Sequence, residues 1–169
     1  MKNLFNIICF QGCWWACVLG VKYNFPYLGP ILMSIFLIIH FLYYTFNDKE
    51  YIFIALSALL GTIVDSLFLN TQLIQYNGLT FNFLAPFWII AMWAGFGATV
   101  NHSLVWLDNK YFLGFLLGAV SGPLSYIAGL KFEAINFNST YLSIGILSIS
   151  WGVIVPSIFY INKLILNRK

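Results

Sequence analysis

The chain alternates between long apolar runs and short polar breaks. A helix that crosses a bilayer needs about 20 mostly apolar residues, because it rises about 1.5 Å per residue through a hydrocarbon core about 30 Å thick. Six runs reach this length. They are residues 4–22, 27–46, 51–70, 86–107, 111–131 and 141–163. The pattern predicts an all-α membrane protein, a six-transmembrane-helix bundle that forms a single integral membrane domain, 1–169.

Positive charges favour one orientation of these helices. Lysine and arginine accumulate in the loops on the cytoplasmic side of a membrane. With a cytoplasmic N-terminus, Lys22 and Lys131 lie outside. The inside set is larger and consists of Lys2, Lys49, Lys110, Lys163, Arg168 and Lys169. We therefore predict that the N- and C-termini are both cytoplasmic.

The even number of predicted spans allows an internal symmetry. Six spans divide into two groups of three that begin on opposite sides, and such 3+3 inverted halves occur in many transporters. Gly29-Pro30 opens the second predicted span, and Gly122-Pro123 interrupts the fifth, its counterpart in the other half. The sequence permits inverted halves without requiring them.

Composition limits the class of protein. Hydrophobic residues make up 61% of the 169 positions and charged residues 8%, whereas a soluble domain carries about 25% charged residues. So few charges exclude an ordinary cytosolic enzyme, a disordered chain and a nucleic-acid binder. Cys9, Cys13 and Cys17 lie on one face of the first predicted span, which favours packing over a disulfide framework or a metal site. No cofactor and no metal is predicted.

The longest connection, residues 71–85, carries no charge. Leu73 to Tyr76 and Leu79 to Phe83 alternate like two strands, and Asn77-Gly78 between them suits a two-residue hairpin turn. One interpretation is a small amphipathic hairpin that covers a site. The other, slightly favoured because an isolated hairpin is marginal in water, is a loop in the headgroup region.

Asp65 is the only carboxylate well inside a predicted span. Small residues one and two turns earlier let another helix approach this face, so Asp65 is expected to point into the bundle. Polar side chains at membrane depth face protein or a cavity and are often functional. One interpretation is an outward-facing site for a ligand, proton or cation. The other is a buried carboxylate that pairs with Lys131 or accepts hydrogen bonds from Ser125 and Tyr126.

A second polar layer lies in the inner half of the predicted bundle and contains Gln11, His40 and His102. The histidines lie on different predicted helices without His-x-x-x-His or Glu-x-x-His spacing, so a metal site is only weakly indicated. We predict that each is a hydrogen-bonded structural histidine. Across both layers, the candidate ligand-binding residues are Asp65, Ser125, Tyr126, Gln11 and His102.

Glycines recur every four residues along the fifth predicted span, at Gly114, Gly118 and Gly122. They form two overlapping small-xxx-small units, which let helices approach closely. We predict that this helix is the packing centre of the bundle, with a kink at Pro123.

Three stretches carry a family resemblance: Phe10-Gln11 with Trp14-Trp15, Ala85-Pro86-Phe87-Trp88, and Gly122-Pro123-Leu124-Ser125-Tyr126. With them the chain resembles a small bacterial integral inner-membrane family, a domain of unknown function, over nearly its whole length. The resemblance implies the bacterial cytoplasmic membrane as the location and implies no mechanism.

Three functions remain open on these observations. The first is binding or transport of a small molecule or lipid near Asp65, with Trp14, Trp15 and Trp93 either lining a hydrophobic cavity or packing in the core. The second is a membrane-embedded enzyme, or an accessory protein of lipid modification, that uses His40 and His102. No nucleophile elbow, HEXXH motif or phosphate-binding loop supports an enzyme.

The third is a structural or assembly partner of a membrane complex, with the glycine ridge as its interface. The predicted partners are membrane lipid, a small-molecule or lipid ligand, and either a second copy of the chain or another membrane protein. No nucleic acid is expected.

Overall fold

A computed structural model describes residues 2–45, 47–78, 81–138 and 140–167. Within these ranges the backbone forms six α-helices, two short β-strands and one 3-10 helix. In chain order they are α1 (Lys2–Lys22), α2 (Leu28–Tyr43), α3 (Lys49–Asn70), β1 (Ile74–Tyr76), α4 (Phe87–Val100), the 3-10 helix (Val105–Leu107), α5 (Tyr111–Lys131), β2 (Ile135–Phe137) and α6 (Thr140–Ile165). The predicted helical class is confirmed, with the addition of a two-stranded sheet.

Four of the helices fit membrane spans. α1, α3, α5 and α6 contain 21, 22, 21 and 26 residues and are apolar enough to cross a bilayer. α2 and α4 are also apolar, but with 16 and 14 residues they extend only about 24 Å and 21 Å. Both lengths fall short of the hydrocarbon core of about 30 Å. Four helices of spanning length support a membrane protein, while six spans and 3+3 inverted halves stay predictions.

α4 is shorter than the predicted span 86–107, so the prediction of one continuous helix over these residues is wrong. The helix ends at Val100, and turns lead from there into the 3-10 helix. At this end Asn101 Nδ2 donates to Asn162 Oδ1 at 3.2 Å, and Asn162 Nδ2 donates to Asn101 Oδ1 at 2.7 Å. Because the two buried amides satisfy each other across the bundle, the chain can leave the helix here without a buried unpaired side chain.

Of the two interpretations of residues 71–85, the less favoured one, the local hairpin, is wrong, although its first strand exists. β1 pairs antiparallel with β2, with Ile74 opposite Phe137 and Tyr76 opposite Ile135. Of the predicted second strand, residues 79 and 80 lie outside the described residues, and residues 81–83 form a bend and turns. The sheet forms between two distant connections because Ile74 and Ile135 are both buried in one core, a gain that a local hairpin does not offer.

Contacts between connections define two ends of the bundle. At one end, the sheet joins the α3–α4 and α5–α6 connections, and Lys22 at the end of α1 lies 3.6 Å from Glu133. At the other end, Lys163 Nζ donates to Asn109 Oδ1 at 3.0 Å, which joins the end of α6 to the α4–α5 connection. The helices therefore alternate in direction between the two ends.

The glycine stripe of α5 faces α6. Cβ atoms added at Gly118 and Gly122 would overlap the backbone and the side chain of Trp151, respectively. α5 packs mainly against α6, whereas α4 contacts α1, α2 and α3. The prediction that the fifth helix is the packing centre is thus wrong, because its glycines allow close contact with one helix, α6, and not with several.

Candidate functional site

A cavity of about 490 Å³ lies between α1, α4, α5 and α6. Five of the six tryptophans of the chain line it: Trp14, Trp15, Trp88, Trp93 and Trp151. Trp93 and Trp151 stack with their ring centroids 4.8 Å apart and their planes 13° apart. The cavity opens at the surface of the bundle, where the lining residues Gln11 and Ser125 are exposed.

Few polar side chains reach this cavity. Gln11, Ser121, Ser125 and Tyr126 are the polar lining residues besides the tryptophans. Ser125 Oγ donates to the Ser121 carbonyl at 3.0 Å, within its own helix. Three of the five predicted ligand-binding residues, Gln11, Ser125 and Tyr126, therefore line one cavity.

Asp65 lies directly behind the cavity wall and does not line it. Its side chain is fully buried, and it accepts three hydrogen bonds. Tyr76 Oη and Tyr126 Oη donate to Oδ1 at 2.5 Å and 2.6 Å, and Trp93 Nε1 donates to Oδ2 at 2.7 Å. Asp65 on α3 thus holds side chains from β1, α4 and α5.

A glycine next to the carboxylate and the protonated state of Tyr76 allow these hydrogen bonds to form. Gly61 lies one turn before Asp65, and a Cβ at Gly61 would overlap the Trp93 ring, so glycine is what lets the indole reach the carboxylate. Burial, followed by the Asp65 charge, raises the pKa of Tyr76 well above its ordinary value. The Tyr76 phenol therefore stays protonated and donates.

The alternatives for Asp65 separate clearly on these contacts. Its hydrogen bond from Tyr126 agrees with the interpretation as a hydrogen-bonded buried carboxylate. The Ser125 hydroxyl bonds to Ser121 instead. Among the described residues Asp65 forms no ion pair with Lys131, which is exposed. The hydrogen-bond donors to Asp65 that the structure describes are two phenols and one indole.

His102, the fifth predicted ligand-binding residue, lies in a different cluster. His40 near the end of α2, Glu50 in the first turn of α3 and His102 just after α4 come together, and all three are buried. His102 Nε2 lies 3.0 Å and His40 Nε2 lies 3.7 Å from Glu50 Oε1. The two imidazole centroids are 4.7 Å apart.

Glu50 is the residue of this cluster that sequence reasoning misses. In the sequence, Glu50 is the last residue of the polar break Asn47 to Glu50, where a charged side chain is expected to face water. The available signal is its predicted depth, at the same inner boundary as His40 and His102. The prediction of hydrogen-bonded histidines fits His102, whereas among the described residues His40 Nδ1 has no hydrogen-bond partner and His40 Nε2 only approaches Glu50 Oε1 at 3.7 Å.

The cysteines of α1 pack as expected from their spacing. Cys13 and Cys17 are buried, and a Cβ at Gly29 would overlap Cys17, so α2 packs closely against this cysteine. In the part of the chain that the structure describes, no cysteine belongs to a group with metal-binding spacing.

The helices and the buried groups between them indicate the class of protein. Four apolar helices fit membrane spans, and buried carboxylate clusters and an aromatic cavity lie between them, which is an arrangement compatible with a membrane protein. The chain belongs to the family described as "Protein of unknown function (DUF2878)", whose model matches residues 3–157. This confirms the resemblance to a family of unknown function. Comparisons with curated proteins and with solved structures found no match.

Proposed function

We propose that this protein is a multi-pass membrane protein that binds a lipid or lipid-like small molecule in the tryptophan-lined cavity. The observation that carries the proposal is the cavity of about 490 Å³ with five tryptophans in its wall. Ligand sites have volumes of about 300–1,000 Å³ and apolar, aromatic walls with a few polar groups that orient the ligand. The cavity fits this description, and its apolar wall favours an acyl or ring system over a charged solute.

The polar groups suggest how the ligand is oriented. Gln11 and Ser125 are exposed at the cavity and can bond a hydroxyl or carbonyl head. The ring of Trp151 belongs to the apolar part of the wall, where it stacks on Trp93. A molecule with an apolar body and one small polar group would satisfy both Gln11 and Ser125.

Asp65 has an indirect role in this proposal. Because it accepts from Trp93 and Tyr126, it fixes the orientation of two wall residues without touching the ligand. Asp65 is therefore a positioning residue, and Gln11, Ser125 and Tyr126 are the residues proposed to contact the ligand.

The cavity test compares two neighbouring substitutions on α5. Ala128 lines the cavity, whereas Ile127 is exposed and does not. Ala128→Trp fills the space and is expected to reduce a copurified lipid-like adduct, measured by native mass spectrometry from a mild detergent, by about tenfold or more. Ile127→Trp should retain the adduct. Wild-type protein that carries no adduct and binds no added fluorescent fatty acid would contradict the proposal.

The proposed topology has six crossings with both termini in the cytoplasm. The alternating helix directions support this topology, and so do the lysines at the end of the bundle where α6 finishes. The short helices α2 and α4 would cross the membrane together with the turns that flank them. Asn136 and Asn109 are exposed in the connections at opposite ends. In a chain without native cysteines, Asn136→Cys should react with an impermeant maleimide in intact cells, and Asn109→Cys should react only after lysis. The reverse pattern would overturn the orientation.

The structure bears differently on the two alternative functions, the assembly partner and the membrane enzyme. The glycine ridge that an assembly partner would need is covered by α6 of the same chain, so this hypothesis loses its interface. The enzymatic alternative gains support from the His40, Glu50 and His102 cluster, which brings both predicted histidines together with a carboxylate.

A further inference from the structure

We propose that His40, Glu50 and His102 bind a divalent first-row transition metal ion. One atom from each side chain can be chosen so that all three lie within 4.8 Å of one another. The three residues come from three segments, the end of α2, the start of α3 and the turn after α4. This site is separate from the tryptophan-lined cavity, and neither proposal depends on the other.

The distances suit a shared ion. Zinc bonds to imidazole nitrogen and carboxylate oxygen at about 2.0–2.1 Å, which places neighbouring ligands of a tetrahedral ion about 3.3 Å apart. The Nε2 to Oε1 distances of 3.0 Å and 3.7 Å lie on either side of that value. With all three ligand atoms within 4.8 Å of one another, common coordination requires the two imidazoles to turn toward a shared ion beside Glu50.

Unpartnered polar atoms point to the same conclusion. Among the described residues, His40 Nδ1 and Glu50 Oε2 are buried without a hydrogen-bond partner, and His40 Nε2 has only its 3.7 Å approach to Glu50 Oε1. A buried polar atom without a partner costs about 1–3 kcal/mol, and such an atom in a folded protein calls for a bound water or ion. An ion held by His40 Nε2 and the Glu50 carboxylate would give a partner to atoms on both residues at once.

The surroundings suit a metal more than a solvated ion pair. His40 is 1% exposed and Glu50 0%, and the rings of Phe36 and Phe41 lie 5.9 Å and 5.8 Å from the His40 ring. The start of α3 also places its helix dipole at Glu50, which favours the ionised carboxylate that a metal requires.

The donor set indicates the class of ion. Two imidazoles and one carboxylate bind Zn²⁺ in several catalytic sites and Fe²⁺ in facial triads. No thiol joins this group among the residues described, which disfavours ions that need soft ligands. Three protein ligands leave at least one coordination position for water or another small ligand.

The test is a Co²⁺ titration of the purified full-length protein in detergent, with metal content measured by mass spectrometry. We expect one Co²⁺ per chain, visible ligand-field absorption, and displacement by Zn²⁺. Removing one ligand should weaken binding by about 100-fold or more, since losing even an outer partner of a ligand costs about 10–100-fold. Glu50→Gln and His40→Ala are the variants.

The matched control removes the three cysteines together, as Cys9→Ala, Cys13→Ala and Cys17→Ala, and should bind Co²⁺ as the wild type does. The chain has only two histidines, so X-ray absorption of the Zn²⁺-loaded control should show two imidazole ligands even where a ligand variant fails to fold. A folded wild-type protein that binds neither ion, binding unchanged in His40→Ala, or a spectrum without imidazole would each overturn the proposal.

Discussion

Asp65→Ala is expected to lower the free energy of unfolding by about 3–9 kcal/mol, the summed cost of three unpaired donors. The substitution takes the acceptor from three buried donors, on Tyr76, Trp93 and Tyr126, and each donor left unpaired costs about 1–3 kcal/mol. The protein should also lose its cavity ligand, because two of these donors form the cavity wall. Unfolding in a mixed-micelle denaturant series measures the first effect, and native mass spectrometry measures the second.

Graded variants separate charge from shape at this site. Asp65→Asn keeps one oxygen for the two tyrosines but turns a donor toward the Trp93 N–H, so a loss of about 1–3 kcal/mol is expected. Tyr76→Phe removes a single bond and leaves the cavity wall in place, so it should lower stability and spare the ligand. A wild-type unfolding curve for Asp65→Ala would contradict the assignment of Asp65 as the residue that holds β1, α4 and α5 together.

Gly118→Ala is expected to destabilise the protein by about 1–3 kcal/mol, the usual cost of overpacking. Its new Cβ would overlap the backbone carbonyl oxygen of Trp151, which cannot rotate away as a flexible side chain would. α5 and α6 would have to separate, and the stacked ring of Trp151 would move with α6. The measurement is the thermal unfolding midpoint in one detergent.

Gly145→Ala is the matched control for this prediction. Gly145 lies in α6, and a Cβ there meets nothing within 4 Å. Alanine is a better helix former than glycine by about 0.8–1.0 kcal/mol, so this variant should be as stable as the wild type or slightly more so. Equal midpoints for the Gly118 and Gly145 variants would show that close packing of α5 on α6 does not limit stability.

Local physics explains how much of the fold the sequence predicts. The run predicted at 111–131 is the helix Tyr111–Lys131, and the run at 141–163 becomes Thr140–Ile165. Long apolar runs make helices because each backbone group finds its partner four residues away, whatever the rest of the chain does. The fourth run departs from this rule: its helix ends at Val100, and the next side chain, Asn101, bonds to Asn162 of another helix.

The candidate site was only partly accessible to the same reasoning. Spacing and polarity singled out Asp65, Tyr126 and His102 one at a time, and depth along a helix placed them in layers. Neither spacing nor depth shows which residues on different helices touch, because that depends on how the helices rotate and pack. The sequence therefore left Tyr126 and Lys131 as alternative partners of Asp65, and the tertiary structure selected Tyr126.

Helix length and polarity are properties of local runs, so the amino-acid pattern alone predicts long apolar helices with a few polar groups inside them. The pairing of β1 with β2, the meeting of Glu50 with two histidines and the cavity lined by five tryptophans come from the packed structure. These are contacts between segments far apart in the chain. They form because packing the helices brings the buried groups together, and no periodicity of a single segment encodes that choice.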